Sequence, residues 1–397
     1  MKRSVLLSLT GITLHAFLFL TAVQASSQLR VLPQRGGDFP QKSAGPAVSP
    51  SRTWLIRPDG TGDVPTIQAG ADSAAAGDTL LLDDGTFTGP GNHDVRLLNE
   101  IVIRSRNGPE RTVIDCQHAG PAFSLGDWAA EYERGPTLVG VAIVNGGSES
   151  GDYRNRHAVV GAGTQVAIDN CVITDGAGHG VYLYTSIATI RNSVIGHCGG
   201  AAVSLNNSIV RMTDCAIRDN AACAGGDDGS IDMTRCRIER NSYALSSYGL
   251  GARLVDCDIV GNGGFEGSGN SVHVIGSRLY ENTGMIARTE WGEYVLLENN
   301  VISGHTGALL TVGSHGRADV IGNTIVGGVA DEPLFVVGEE ECGSTCESQF
   351  AMERNIIAFN TGPSILAQES PDELTVAHND VFANAETSEP FTFQEDG

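Results

Sequence analysis

The stretch Asn170-Cys171-Val172-Ile173 returns as Asn192-Ser193-Val194-Ile195, Asp214-Cys215-Ala216-Ile217, Arg235-Cys236-Arg237-Ile238 and Asp256-Cys257-Asp258-Ile259. The isoleucines are 22, 22, 21 and 21 residues apart. Three residues beyond them runs a second column, Asn220, Asn241 and Asn262. A fixed period in the twenties marks a solenoid, in which each unit stacks on the next.

The residue types decide which solenoid it is. Apolar alternation lasts only three to five residues, as in Ile168, Cys171 and Ile173 or Val181 and Leu183, and Gly, Asn and Asp separate the runs. A helical repeat needs longer amphipathic segments, and a leucine-rich repeat needs several leucines per unit. Three short strands per coil, each paired with its counterpart about 4.8 Å away in the next coil, use the period fully. The reading is all-β: a right-handed, single-stranded parallel β-helix of about 10–12 coils of about 22 residues. Cys171, Ser193, Cys215, Cys236 and Cys257 form one inward column and the isoleucines another. The asparagines are placed in turns near the left-handed region, with side chains bonding along a ladder.

The register extends downstream through Ser277-Arg278-Leu279 with Asn282, Asn300-Val301-Ile302 with His305, and Asn323-Thr324-Ile325. It continues through Asn355-Ile356-Ile357 with Asn360 and Asn379-Asp380-Val381 with Asn384. The step from Ile143 to Ile173 is 30 residues and that from Ile325 to Ile357 is 32, so a loop is expected to leave the coil in each.

Met1-Lys2-Arg3, the apolar run Val5–Leu20 and the small-residue site at Val23-Gln24-Ala25 have the three parts of a secretory signal peptide, expected over 1–25. A flexible Ser/Pro/Gly/Gln-rich linker follows over 26–52, then the β-helix over 53–384 and an acidic tail over 385–397. In that tail, Phe391 and Phe393 are placed to fold over the last coil. Export, to the extracellular space or a periplasm, is the expected localisation. The formal charge of −22, or −24 without Lys2 and Arg3, disfavours nucleic acid and anionic membranes as partners. It also counts against a bare anionic polysaccharide unless calcium bridges the two, and the chain is expected to be a monomer.

Nine cysteines in an exported chain ordinarily suggest disulfides. Here four of them share the inward column, so they read as small buried hydrophobes. Cys342 and Cys346 lie in an acidic inter-coil segment instead and are expected to close a loop as a disulfide.

Order begins at Trp54. Pro65 suits a first helical turn, Ala71, Ala74, Ala75 and Ala76 favour helix, and Gly77 ends it. A short helix here caps the open strand edges of the first coil. The run Asp59-Gly60-Thr61-Gly62-Asp63, Thr66-Ile67-Gln68-Ala69, Gly77-Asp78-Thr79 and Gly85-Thr86-Phe87 resembles the N-terminal cap of the pectin-lyase-like superfamily. With the repeats, the resemblance covers roughly residues 54–384. It implies the parallel β-helix fold and a polysaccharide or cell-surface glycan as the expected partner, and it does not fix an activity.

The resemblance directs attention to three chemistries. Pectinesterases use two aspartates and an arginine, and their signature segments are not found. Gly85-Thr86-Phe87 also lacks the tyrosine and glutamate that follow it in those enzymes. Polygalacturonases carry a Gly-His-Gly, matched by Gly178-His179-Gly180 with Asp175 nearby, but their aspartate pair and basic segment are missing. His179 therefore reads as a turn residue. Pectate-lyase-type elimination needs a base, often Arg or Lys in that group, and a cation to stabilise the developing carbanion. Arg154, Arg156 and His157 are the dense basic cluster for such a role, against an alternative as a surface loop of ordinary charge. Trp128, Tyr132 and Tyr153 are sugar-stacking candidates on the two excursions, 126–134 and 151–157, that interrupt the coils. Asp227, Asp228 and Asp232 are calcium-ligand candidates against an alternative as a solvated loop.

A second patch holds Arg288, Glu290, Trp291, Glu293 and Tyr294, with Glu290 the catalytic candidate of a glycosidase-like subsite. Tyr182, Tyr184, Ser204 and Asn206 face outward on adjacent coils and extend a saccharide groove. Two functions stay open: a β-helix protein that contacts polysaccharide along its flank, as a lyase or hydrolase if it is an enzyme, and a non-catalytic, adhesin-like solenoid binding protein or glycan.

Overall fold

The computed structural model describes residues 51–148, 152–266, 271–289, 293–313, 315–329, 333–338, 348–361, 365–368, 373–382, 384 and 391–394. The expected signal peptide, almost all of the linker, Glu290, Trp291 and the Cys342–Cys346 pair lie outside the described residues. Among those residues, no helix is long and apolar enough to cross a membrane.

The chain winds as a parallel β-solenoid. One sheet has 13 strands, one from each coil, running from Gly85–Phe87 to Asp380–Phe382. Down its centre stand Phe87, Ile114, Ile143, Ile173, Ile195, Ile217, Ile238 and Ile259, each in register with the next. Among the described residues this sheet counts thirteen coils, close to the expected 10–12, the early ones carrying Phe87 and Ile114 in the column without the phrase that marks later coils. A 19-stranded sheet covers the rest of the circumference early on. A five-stranded sheet takes over one side from Ala287–Thr289 onward and ends in Phe391–Gln394. Part of the expected tail is thus a strand, parallel to Ile365–Gln368.

Inward columns hold the coils together. Cys116, Cys171, Cys198, Cys215, Cys223, Cys236 and Cys257 are free thiols in the interior. Further along, the position of Cys257 passes through Ser277 to asparagine. Ser277 Oγ accepts from the Cys257 amide, Asn300 Oδ1 from the Ser277 amide, and Asn323 Oδ1 from the Asn300 amide. The second ladder runs through Asn220, Asn241, Asn262 and Asn282. Each Oδ1 accepts from the amide of the preceding coil, and each Nδ2 donates to an interior carbonyl. These ladders satisfy backbone groups that a turn would otherwise bury unpaired.

The ladder asparagines are not the left-handed residues. That conformation falls one position earlier, at Asp219 (φ 58°) and Arg240 (φ 53°). The bend is made by the residue before the asparagine, which frees the asparagine to turn its amide inward.

The capping helix is α1, Ile67–Ser73, with Thr66 Oγ1 accepting from the Ala69 amide at 3.2 Å. Its buried face of Ile67, Gly70 and Ala71 covers the end of the first coil over Ile56 and Leu80.

Candidate functional site

The two excursions fold back onto one flank, over the strands Val159–Ala162 and Val181–Tyr184. Glycines without side chains let them approach. A Cβ at Gly163 (φ +61°) would overlap the carbonyls of Asp127 and Ala130, so the Trp128 turn sits directly on that coil corner. A Cβ at Gly178 would overlap the Arg156 carbonyl. Asp127 and Asp152 tie the turns internally, accepting from the amides of Ala129 at 3.0 Å and Arg154 at 3.1 Å. Tyr132 anchors the first excursion: its carbonyl accepts from Gln165 Nε2 at 2.8 Å and its hydroxyl donates to the Asn207 carbonyl at 3.4 Å.

Rings from both excursions meet rings from the coils. The Trp128 ring lies 5.2 Å from that of Tyr184 and 6.5 Å from that of Tyr182. Tyr153 packs edge-on to Tyr182 at 5.4 Å and to His157 at 5.0 Å. The Arg154 guanidinium stands 4.3 Å over the Trp128 ring, a cation–π pair at the surface. Of the expected residues, Trp128, Tyr153, Arg154, His157, Tyr182 and Tyr184 are therefore one cluster. Arg156 is exposed beside it.

His157 is part of the cluster's foundation, with 2% of its surface exposed. Its ring lies 4.7 Å from that of Tyr182 and 4.8 Å from that of His179, which are themselves 6.2 Å apart, so the three near-parallel rings are mutual neighbours. His157 Nδ1 accepts from the His179 amide at 3.3 Å, and His179 Nδ1 accepts from the Ala201 amide at 2.9 Å. Burial, His179 and Arg156 hold the His157 pKa down at about 3, and burial holds His179 at about 4. Both rings are neutral near pH 7, with Nδ1 engaged as an acceptor. Burial and a hydrogen bond with Tyr153 push the Tyr182 phenol well above its usual range. Reading His179 as a turn residue holds, and the turn also carries the platform.

The calcium candidates are not brought together. The chain turns a corner at Asp228 (φ 54°), which puts Asp227 and Asp232 on different runs of one long strand. Asp232 stands in register between Arg211 and Arg253 and pairs with Arg253 at 3.4 Å. Among the described residues, no group of three or more His, Cys, Asp or Glu side chains converges as a metal site would require.

In the second patch, Arg288 is exposed on a strand of the five-stranded sheet. Glu293 immediately precedes the strand Tyr294–Glu298. Tyr294 donates to Asp319 at 2.7 Å, and Arg317 holds the same carboxylate at 3.0 Å. With Glu290 and Trp291 outside the described residues, the chemistry expected there has no geometry to support it.

Sequence reasoning missed Tyr248. By register, Tyr184, Asn206, Asp227 and Tyr248 stand over one another on consecutive coils.

Three overlapping segments, 133–230, 157–325 and 224–388, match the model of the right-handed β-helix region. The chain belongs to that family. No curated protein sequence is significantly similar to it. This β-helix is similar in structure to the family 28 exopolygalacturonase of Yersinia enterocolitica, at 11% identity and a TM-score of 0.51, over 87% of this chain and 78% of that one. It also resembles PfbA, a surface adhesin of Streptococcus pneumoniae, at 12% identity and a TM-score of 0.45, over 80% and 85% of the two chains. A glucanase acting on α-1,3 linkages from Streptomyces thermodiastaticus aligns over 89% of this chain and 72% of its own, at 15% identity and a TM-score of 0.46. At these identities the likeness is one of fold.

Proposed function

We propose that the protein is an exported polysaccharide-binding β-helix whose binding surface is the flank carrying Trp128, Arg154 and Tyr184. The observation that carries this reading is the ring platform itself. Half-exposed aromatic rings, fixed by glycine-seated turns and topped by a guanidinium, offer an apolar face with polar edges, the surface that pyranose rings stack on. The family 28 exopolygalacturonase that shares the fold is named for a polysaccharide substrate, which supports the reading.

Binding rather than cleavage is the reading preferred. The groups with moved pKa values in the cluster, His157, His179 and Tyr182, all move away from neutrality. An acid–base pair working near pH 7 needs the opposite shift. Affinity electrophoresis through gels containing soluble polysaccharides tests the reading. At least one gel should retard the protein, Trp128→Ala should abolish most of the retardation, and no new reducing ends should accumulate. Retardation unaffected by Trp128→Ala would move the binding surface elsewhere, and new reducing ends or unsaturated-product absorbance would make the protein an enzyme.

A further inference from the structure

The row below the platform suggests which polysaccharide and in which direction. Tyr184, Asn206, Asp227 and Tyr248 occupy one outward column on four consecutive coils. Parallel strands in register stand about 4.8 Å apart, so the row covers about 14 Å along the solenoid axis. Its two ends are exposed rings, Tyr184 at 37% and Tyr248 at 65%. Between them lie an amide and an exposed carboxylate. The Trp128 ring packs against Tyr184, 5.2 Å away. A pyranose unit advances by about one coil step, so a chain laid along the axis meets these positions one sugar at a time.

Charge selects among chains that fit. The exposed Asp227 carboxylate is free to act as an acceptor for sugar hydroxyls, and a carboxylate is a stronger acceptor than a neutral group. The same charge, with Asp228 next to it and a formal net charge of −22 on the chain, repels a uronate carboxylate. The cations of the cluster lie at the Tyr184 end, Arg154 over Trp128 and the exposed Arg156 beside it, with Asp227 two coils further on. Resting on the polysaccharide-binding reading, we infer that this flank takes an uncharged polysaccharide, running parallel to the solenoid axis, with about four sugars seated between Tyr184 and Tyr248.

The experiment measures retardation in gels of neutral glucan, mannan, galactan and xylan beside polygalacturonate and alginate, with EDTA present to remove bridging calcium. Titration with neutral oligosaccharides of increasing length follows. The wild-type protein should be retarded by a neutral polymer, with affinity rising up to about a tetrasaccharide and then levelling. Tyr248→Ala should weaken that binding about tenfold, the loss of one stacked ring. Asp227→Asn should weaken neutral binding about tenfold while increasing any residual affinity for uronates. Both side chains are exposed, so the variants should keep the wild-type thermal midpoint, which is to be checked. Binding confined to uronates and abolished by Trp128→Ala would leave the platform reading standing and overturn this inference. So would neutral binding indifferent to Tyr248→Ala and Asp227→Asn. No retardation in any gel would overturn both.

Discussion

Acidification should open the turn that carries the aromatic platform, and the size of the effect follows from the two stacked imidazoles. His157 and His179 have pKa values near 3 and 4 in the folded chain, against an ordinary 6.5. The sign is that of a base whose folded pKa is depressed: the open form takes up protons that the folded form refuses. Stability is therefore greatest above pH 6.5 and is lost progressively as pH falls from 6.5 toward 4. At pH 5 an exposed imidazole is almost fully protonated and a buried one almost neutral, so each histidine released on opening favours the open state about 30-fold, or about 2 kcal/mol. Hydrogen exchange at the His179 and Ala201 amides, which donate to these two rings, reads the opening locally. Protection factors there, corrected for intrinsic rate, should drop by about 30-fold or more between pH 7.5 and 5. The double variant His157→Asn/His179→Asn keeps a side-chain acceptor for each amide, in the manner of the Asn220–Asn282 ladder, but does not titrate. Its protection should be flat across the same window. A wild-type profile as flat as the variant's, or an equal drop in both, would refute the assignment of the acid response to these rings.

Other consequences concern the scaffold. Asn241 accepts from the Asn220 amide and side chain and donates to the Ile217 carbonyl and Asn262, so Asn241→Leu should destabilise the central coils by about 3 kcal/mol or more, seen as a lower urea midpoint. Gly163→Ala should displace the Trp128 turn, because its methyl group meets the carbonyls of Asp127 and Ala130; tryptophan fluorescence should shift and polysaccharide retardation should fall while the global melting temperature changes little. The interior thiols should be inert to a bulky disulfide reagent until the chain is unfolded, since burial raises Cys116 to about 12 and Cys171 and Cys198 to about 11. Rapid labelling of Cys215 or Cys236 in the native protein would contradict the inward column.

The fold was legible because a solenoid writes its tertiary contacts into a local period. Ile195 touches Ile217 because the two are one coil apart, and that distance is visible in the chain. The same arithmetic yields the row from Tyr184 to Tyr248, whose steps of 22, 21 and 21 residues match the coils, and the stacking of His157 on His179, 22 residues on. The outward-facing reading of Tyr184 and Asn206 already holds the first step of that row, and Asp227 and Tyr248 extend it by two further coils. The three aspartates are a different case. Sequence spacing treats Asp227, Asp228 and Asp232 as one group, whereas a corner at Asp228 re-aims the strand and Arg253 claims the last of them. The position of the bend was missed by one residue, because Asn suits both the left-handed turn and the ladder beside it. Excursions carry no period at all. That the Trp128 and Tyr153 turns meet over Tyr182 could not be had from spacing, since their direction depends on close approach at Gly163 and Gly178.

These observations join stability to function at one place. Along most of the solenoid the inward columns set the register and the outward columns are free to vary, so a change to Tyr248 leaves the core untouched. The His157–His179 stack breaks that separation. Its Nδ1 atoms complete the backbone ladder of the turn, while its ring faces hold Tyr182, against which Tyr153 and Trp128 pack. Protonating either ring withdraws an acceptor from the ladder and places a cation beneath the aromatic platform in the same event. Polysaccharide affinity should therefore weaken over the pH window in which the Ala201 amide loses protection. In the His157→Asn/His179→Asn variant, whose ladder is kept but whose ring floor is gone, affinity should be lower at every pH and independent of pH across that window.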